Sequence, residues 1–326
     1  TKVSLNVITP FEGSGGSGGS SESFKLPAIN SGDYPSLPSS GGSLHFMPFI
    51  ANGTGKAYVA TSTDETDWTN IISLPVASKT SYWAQYACNK YFVFYRMTDK
   101  YAYSSDGITW TEGTLPASVS GNLRFAKNGS TFVVLMTKYL YTTTDGVTWT
   151  TYTADDTLGA LCYGNGKFLA CAVTTSDAYV LTSTDGITWT KATIIMNLNP
   201  AYLYYGKDKF IMVHDKSVSD SSVTTSKYGH YSTDGITWTQ FEVPTDQAWT
   251  CGEYCNGLYI NLCQNSGSFA YSTDGITWTE GTLLESKPCD ISICNNMIYT
   301  RILGGVKKLL RLKITNGVIS QTVLEF

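Results

Sequence analysis

One octapeptide recurs along the chain, and its spacing limits the fold more than any other feature of the sequence. It reads SSDGITWT at residues 104–111, TTDGVTWT at 143–150 and STDGITWT at 183–190, 232–239 and 272–279, with a degenerate copy, STDETDWT, at 62–69. The octamer tryptophans are 39 to 49 residues apart. A period of ~40 residues is the length of four short strands with their turns, which is one blade of a β-propeller.

The residue types in the octamer fit a tight hairpin turn. Glycine after aspartate supplies the positive φ that such a turn needs, and the aspartate side chain can accept backbone N–H groups of its own turn. After the turn, Ile187 and Trp189 alternate with Thr188 and Thr190, which predicts a half-buried strand. We expect the Trp189 ring to pack against the next blade.

A second repeated turn precedes five of the six octamers and completes the blade. It combines Asn, Gly or Lys between two apolar runs, a strong hairpin signal. Its copies lie at 87–92, 127–132, 163–168, 205–210, 254–259 and 293–298. No octamer follows the last copy, but Asn316-Gly317 takes the place of Asp-Gly and marks a seventh, eroded unit. The sequence therefore predicts an all-β, seven-bladed β-propeller of four-stranded antiparallel blades.

Composition agrees with this fold and excludes several functions. Charged residues are only 15% of the 326 residues, aromatic residues are 13%, and 30 are glycine. Strand-forming residues with many glycine turns indicate an all-β chain. A net charge of −4 gives no basic stripe for nucleic acid. No apolar run reaches the ~18 residues of a membrane span, so we expect no membrane insertion, and the start shows no secretory signal.

The first residues differ from the repeats. Residues 1–12 include the alternating stretch KVSLNVIT, which predicts a strand that pairs with a sheet edge or acts as a tethered peptide. Residues 13–23 are a Gly/Ser linker, natural or engineered, and residues 24–326 are the propeller. The strand could close the ring at blade 1 or at blade 7.

The octamer resembles the Asp-box, or BNR repeat, of sialidase-like propellers, although here Asp and Gly are adjacent. This shorter variant is similar to propellers of phage tails and of bacterial binding proteins. The resemblance implies a structural role for the octamer aspartates, which are Asp64, Asp106, Asp145, Asp185, Asp234 and Asp274. It also implies a protein made in the bacterial cytoplasm that acts in a virion tail or on an extracellular surface. Its partners would be a host-surface glycan or protein, and other tail proteins.

A sialidase-like glycoside hydrolase is an alternative, because the resemblance extends to sialidases. That family binds a carboxylate with three arginines, beside a Tyr–Glu pair and an acidic Asp. Only Arg96, Arg124, Arg301 and Arg311 are present, and Arg124 alone falls on an inner strand that could face the channel. We therefore assign no catalytic residue. A third alternative is an assembly scaffold that docks other chains.

Metal and cofactor sites are not expected. No CxxC motif occurs, and the eight cysteines fit small buried hydrophobic residues. His214 and His230 could flank one loop, but a hydrogen-bonded or solvated histidine is the commoner role.

The face of a propeller opposite the tight turns carries the variable connections, where ligands usually bind. Trp83 and Trp249 lie outside the octamers, each at the start of an inner strand. Aromatic rings there could stack on sugar rings or a partner, or could cap the channel. The longest tryptophan spacing places an insertion between His214 and His230. We predict a non-catalytic binding propeller with the candidate ligand residues Trp83, Trp249, Tyr82, Tyr202, Tyr204, Arg124, His214 and His230.

Overall fold

The computed structural model describes residues 3–8, 34–51, 56–77, 82–95, 98–116, 123–172, 179–193, 200–214, 228–244, 249–263, 266–286, 288–302 and 308–325. These residues form strands and turns, and none of them belongs to a helix that could cross a bilayer. The strands β1 to β30, in chain order, are Val3–Ile8, Tyr34–Pro35, Ser39–Gly41, Leu44–Ala51, Lys56–Ser62, Asn70–Ala77, Tyr82–Ala87, Lys90–Tyr95, Lys100–Ser104, Thr111–Thr114, Leu123–Lys127, Phe132–Met136, Tyr139–Thr143, Thr150–Thr153, Leu158–Gly164, Lys167–Ala172, Tyr179–Ser183, Thr190–Thr193, Pro200–Gly206, Lys209–His214, Tyr228–Ser232, Thr239–Glu242, Trp249–Cys255, Leu258–Cys263, Ser268–Ser272, Thr279–Thr282, Pro288–Cys294, Met297–Ile302, Lys308–Thr315 and Val318–Glu325.

Seven antiparallel sheets confirm the predicted seven-bladed β-propeller. Blades 2 to 6 are each four consecutive strands, β7–β10, β11–β14, β15–β18, β19–β22 and β23–β26. In blade 1 the innermost strand is split into β2 and β3, which both pair with β4 ahead of β5 and β6. Pro38 lies between the two pieces. A proline has no N–H to donate, so the break falls where the sequence is richest in proline.

Blade 7 has a fifth strand. Strands β27 to β30 form the blade, and β1 pairs antiparallel with β30 on its outer edge, from Val3 opposite Leu324 to Ile8 opposite Ile319. The predicted sheet-edge pairing of the N-terminal strand is thus confirmed, and its partner is blade 7. The Gly/Ser stretch 13–23 lies outside the described residues.

The inner hairpin turns have the predicted backbone. Asn165 and Gly166 have φ of 46° and 75°, and Asn256 and Gly257 have 46° and 89°. Two successive positive φ values define the hairpin turn that matches the twist of paired strands. Asn316 and Gly317, at 52° and 77°, join β29 to β30 in the same way. This confirms the eroded seventh unit.

Each octamer forms a turn that its aspartate and serine or threonine hold together. In blade 4, Oδ1 of Asp185 accepts the N–H groups of Ile187 and Thr188, both at 2.8 Å, and the Gly186 N–H donates to Ser183 Oγ at 2.7 Å. The strand β18 begins only at Thr190. The prediction that Ile187 lies in a half-buried strand is therefore wrong: it belongs to the turn, and its side chain is 47% exposed.

The hydrophobic core is a ring of seven clusters, one between each pair of adjacent blades. Each octamer tryptophan packs toward the preceding blade and not, as expected, toward the next one. Trp149 of blade 3 donates its indole N–H to the Tyr101 hydroxyl of blade 2 at 2.8 Å. Trp189 of blade 4 likewise packs near Tyr152 of blade 3.

The inner turns and the octamers share one face of the disc. Lys90, beside the inner turn of blade 2, donates from Nζ to the Asp145 carbonyl in the octamer of blade 3 at 2.7 Å. Lys167 of blade 4 makes the same contact with Asp234 of blade 5 at 3.0 Å. We call this side the turn face and the opposite side, where inner strands begin, the loop face.

Candidate functional site

The innermost strands surround a central channel with a cavity volume of about 570 Å³. All seven blades contribute to its wall. Aromatic and ionisable side chains stand out among the lining residues, which include Trp83, Arg124, Phe125, Lys127, Tyr202, Glu253, Asp290 and Arg301. A concave site with few charged groups on an apolar background is typical of a ligand pocket.

Three of the predicted ligand residues converge at the loop-face half of the channel. Trp83 and Arg124 lie near the starts of β7 and β11, and Tyr202 lies in β19. The Arg124 guanidinium carbon is 5.6 Å from the centre of the Tyr202 ring, within the range of a cation–π contact. Its Nη1 donates to the Leu123 carbonyl at 3.1 Å, and Nε has no hydrogen-bond partner among the described residues. Arg124 thus lines the cavity with Nη1 bound to the backbone and Nε buried.

A second arginine in the channel is already paired. Arg301 Nη2 donates to Asp290 Oδ2 at 2.9 Å, and its Nε donates to Cys289 Sγ at 3.4 Å. Burial by itself would lower the pKa of Arg301, but Cys289 and Asp290 raise it above the usual value. This cation is neutralised by its neighbours.

The turn-face half of the channel holds a carboxyl and an ammonium group. Removal from water raises the pKa of Glu253 to about 7, against the opposing effects of a hydrogen bond with the Tyr254 backbone and of the Lys127 charge. The Lys127 Nζ donates to the Tyr86 carbonyl at 2.6 Å. Desolvation by the channel walls lowers the pKa of this lysine. Near pH 7 the Glu253 carboxyl therefore changes protonation state, which neither aspartate nor glutamate does in water.

Three other predicted residues are buried away from the channel. Trp249 is 1% exposed and packs in the cluster between blades 5 and 6, because a register shift between Trp249 and Cys251 reverses the side of β23 it occupies. The Tyr204 hydroxyl donates to Asn261 Oδ1 at 2.8 Å. His230 is 7% exposed in β21, and burial lowers its pKa to about 4. These placements correct the expectation that the three side chains face a ligand.

Two predicted ligand residues and the blade 5 insertion lie partly or wholly outside the described part of the chain. Tyr82 and His214 stand at strand ends, and their side chains lie outside the described part of the chain. Residues 215–227 of the blade 5 insertion lie outside it as well.

The sequence reasoning missed Lys127, Glu253 and Asp290 and gave Arg301 a structural role. A signal for Glu253 and Asp290 was available: each is an acid on an inner strand of alternating apolar residues, TCGEYC and PCDISIC. A side chain at such a position faces either the apolar core or the channel. Because burial of an unpaired charge in the core is costly, an ionisable side chain there is expected to face the channel.

The octamer aspartates do not form a joint site. Hydrogen bonds from their own turns, first from Thr109 and Thr188, lower the pKa of Asp106 and Asp185 to about 2. Each of these carboxylates is engaged within its own blade. The backbone geometry fits the turn-locking role expected for all six.

Comparison with known proteins supports the fold only. Neither a protein-family model nor a curated protein matches the chain. Virginiamycin B lyase from Staphylococcus aureus is a similar solved structure, with a TM-score of 0.66, 12% identity and coverage of 99% of this chain and 100% of the lyase. A streptogramin B lyase has a TM-score of 0.64, 11% identity and coverage of 98% and 97%.

A third similar structure belongs to a larger protein. PorZ, a bacterial surface component of the type-IX secretion system of Porphyromonas gingivalis, has a TM-score of 0.62 and 12% identity. The match covers 92% of this chain and 39% of PorZ. Identities this low show a shared propeller architecture, and propellers serve many functions.

Proposed function

We propose that the protein is a non-catalytic binding propeller that recognises an acidic host-surface glycan in its central channel. The observation that carries the proposal is the convergence of Trp83, Arg124 and Tyr202 at the loop-face half of a cavity of about 570 Å³. An indole ring can stack on a sugar ring, and the fork of a guanidinium can pair a carboxylate in a bidentate way.

The charge of the channel favours an acidic ligand over a neutral one. Its lining has three cationic side chains, Arg124, Lys127 and Arg301, and two carboxyl groups, Glu253 and Asp290. Asp290 is paired with Arg301, and the raised pKa of Glu253 leaves it partly protonated near pH 7. A carboxylated sugar would therefore meet a net positive field.

The size of the cavity favours a glycan over a folded protein partner. Small-molecule pockets occupy roughly 300–1,000 Å³, whereas a stable protein interface needs on the order of 800 Å² on each side. The biological setting that we propose, from the octamer and its Asp-box resemblance, is a phage tail or a bacterial surface. PorZ, which has a similar propeller structure, is itself a bacterial surface component.

A glycan array with sialylated, uronic-acid-containing and neutral glycans tests the proposal. We expect wild-type protein to bind an acidic subset, Trp83→Ala and Arg124→Gln to lose at least about ten-fold in affinity, and Lys138→Gln, outside the channel, to bind as wild type. Absence of glycan binding by the folded wild-type protein, or equal binding by the channel variants, rejects the proposal.

One observation supports a second function, a glycoside hydrolase. A carboxyl group with a pKa near 7 in a closed site is suited to general acid catalysis, and Glu253 is such a group. A panel of fluorogenic glycosides that includes a sialoside separates the two functions. Turnover that disappears in Glu253→Gln would favour the hydrolase, and binding without turnover favours the binding propeller.

A further inference from the structure

Glu65 occupies the fourth position of the degenerate octamer. The other five copies have glycine there, with φ between 74° and 77°, and Glu65 adopts φ of 63° in the same region. Its turn is otherwise unchanged, because the Glu65 N–H donates to Ser62 Oγ at 2.9 Å and Trp68 Nε1 donates to the Glu65 carbonyl at 2.8 Å. A non-glycine residue in this conformation is strained, and such strain concentrates at functional positions.

In four of the other five octamers, a Cβ at this position would lie less than 3.0 Å from a side chain of the preceding blade. A Cβ on Gly146 would lie 2.7 Å from Phe92 of the preceding blade, and a Cβ on Gly235 would lie 2.7 Å from Leu169. At the junction of blades 7 and 1, by contrast, the Glu65 side chain enters the interior and is 1% exposed. A buried carboxylate needs partners that compensate for its lost hydration.

Two metal-ligating side chains meet this carboxylate. His45 of blade 1 places Nδ1 at 3.5 Å from Glu65 Oε1, and Cys294 of blade 7 places Sγ at 3.3 Å from the same oxygen. The Cys294 Sγ and His45 Nδ1 atoms are 3.6 Å apart. Tetrahedral Zn²⁺ with its usual bond lengths sets N–O, S–O and S–N pairs about 3.4, 3.6 and 3.6 Å apart. The three atoms already form nearly one face of such a tetrahedron.

We propose that His45, Glu65 and Cys294 form a Zn²⁺ site that joins the last blade to the first. Nitrogen, oxygen and sulfur donors together suit Zn²⁺, and the thiolate and imidazole disfavour Mg²⁺ and Ca²⁺, which take oxygen ligands. On binding, the Cys294 thiol gives its proton to solvent. The thiolate and the carboxylate then balance the two charges of the ion.

The position of the site indicates that a bound ion would hold blades 7 and 1 together. Cys294 is 229 residues from Glu65 and 249 from His45, and the three residues span the seam between the two end blades of the ring. Weaker polar contacts cross the same seam, such as the Ser292 Oγ donation to the Pro38 carbonyl at 2.8 Å. The fourth position of the tetrahedron can take water, because the His45 side chain is 15% exposed.

Cys255 provides the matched comparison inside the chain. It ends the inner strand of blade 6 as Cys294 ends that of blade 7, and each is followed by a two-residue turn. Its Sγ donates to the Asn296 carbonyl at 3.1 Å. Among the described residues, His45, Glu65 and Cys294 are the one group that brings three metal-ligating atoms together, so Cys255→Ser should leave metal binding intact.

Titration with Zn²⁺ and Co²⁺ under reducing conditions tests the site. We expect one equivalent of Zn²⁺ per chain, a saturable rise in Tm, and, with Co²⁺, a thiolate charge-transfer absorption together with the visible bands of tetrahedral coordination. Cys294→Ser and His45→Ala should lose these signals, and Cys255→Ser should keep them.

Glu65→Gly distinguishes a lost ligand from a damaged fold. This variant restores the octamer glycine at positive φ, which offsets part of the cost of the lost side chain, so it should still fold without metal, yet bind Zn²⁺ at least ten-fold more weakly. Absence of stoichiometric Zn²⁺ binding by the wild-type protein overturns the proposal. So does equal binding by Glu65→Gly, or an equal loss in Cys255→Ser.

Discussion

Glu253 is the residue whose charge state most affects the channel. Its pKa in the folded protein is about 7, above the unfolded value, so the folded state holds this proton more tightly than the unfolded state does. Stability from this group is complete below pH 4.5 and is lost as the pH rises to about 7. The functional consequence is that affinity for an acidic ligand should fall as Glu253 ionises.

Glu253→Gln removes this titration. We expect its free energy of unfolding to vary less with pH between 4.5 and 7 than that of wild type, and at pH 8 the variant should be more stable by up to about 3 kcal/mol. Urea unfolding at pH 5 and pH 8 measures both values. A wild-type protein that gains stability over this range would contradict the assigned pKa.

Gly235 shows why five copies of the octamer have glycine at the fourth position. At φ of 77° an added Cβ is strained, and it would also lie 2.7 Å from Leu169 Cδ2. We expect Gly235→Ala to lower the free energy of unfolding by about 1–3 kcal/mol. Gly129→Ala is the control, because nothing lies within 4 Å of the added Cβ. Chemical denaturation should show a change near zero for this control, and equal losses in both variants would contradict the explanation.

At the scale of elements, β1 covers the outer edge of blade 7. Its six residues pair with β30, the strand that would otherwise present free N–H and C=O groups to solvent. Without β1 the blade keeps its own four strands, so the fold should survive with a less stable last blade.

Deletion of residues 1–8 should lower Tm by at least about 3 °C, since loss of one edge strand costs on the order of 1 kcal/mol or more. Differential scanning calorimetry measures the shift, and a synthetic peptide of residues 1–10 added in excess should recover part of it. An unchanged Tm would show that β1 adds nothing to blade 7.

Strands and turns include both the most accurate predictions from the sequence and the clearest errors. The octamer and the inner turns predicted the blade number because each repeat encodes its own hairpins through local hydrogen bonds, as Asp185 and Asn165 illustrate. The direction of Trp249 was not predictable, because a bulge in β23 depends on its pairing with β24. The acidic residues of the channel do not belong to a repeated motif. Glu253 and Asp290 come together only in the closed ring, so their shared position could not be predicted from the sequence.

At the scale of the whole molecule, the ring closes where blade 7 meets blade 1. The two blades meet in a cluster that includes Trp68, Cys294, Tyr299 and Leu324, and β1, which precedes blade 1 in the chain, is held to blade 7 only by its pairing with β30. Blades 3 and 4 meet around Trp189 and follow each other directly in the chain. Damage at the first junction can therefore separate the end blades once β1 leaves β30, and damage at the second cannot.

Trp68→Ala and Trp189→Ala compare the two junctions. Each removes a buried indole and should cost about 3–5 kcal/mol. In hydrogen exchange, Trp68→Ala should lose amide protection in blades 1 and 7 first, while Trp189→Ala should lower protection more evenly around the ring. The same pattern for both variants would contradict closure as the weak point.

The arrangement of the core in seven separate clusters has an evolutionary consequence. Residues that hold the blades together lie between sheets, and residues that face the axis, such as Trp83, Arg124 and Glu253, lie outside these interblade contacts or at their margin. Mutations at the axis can accumulate with little penalty to folding. One scaffold built from these octamers can therefore keep its fold while the residues of its channel change to fit different ligands.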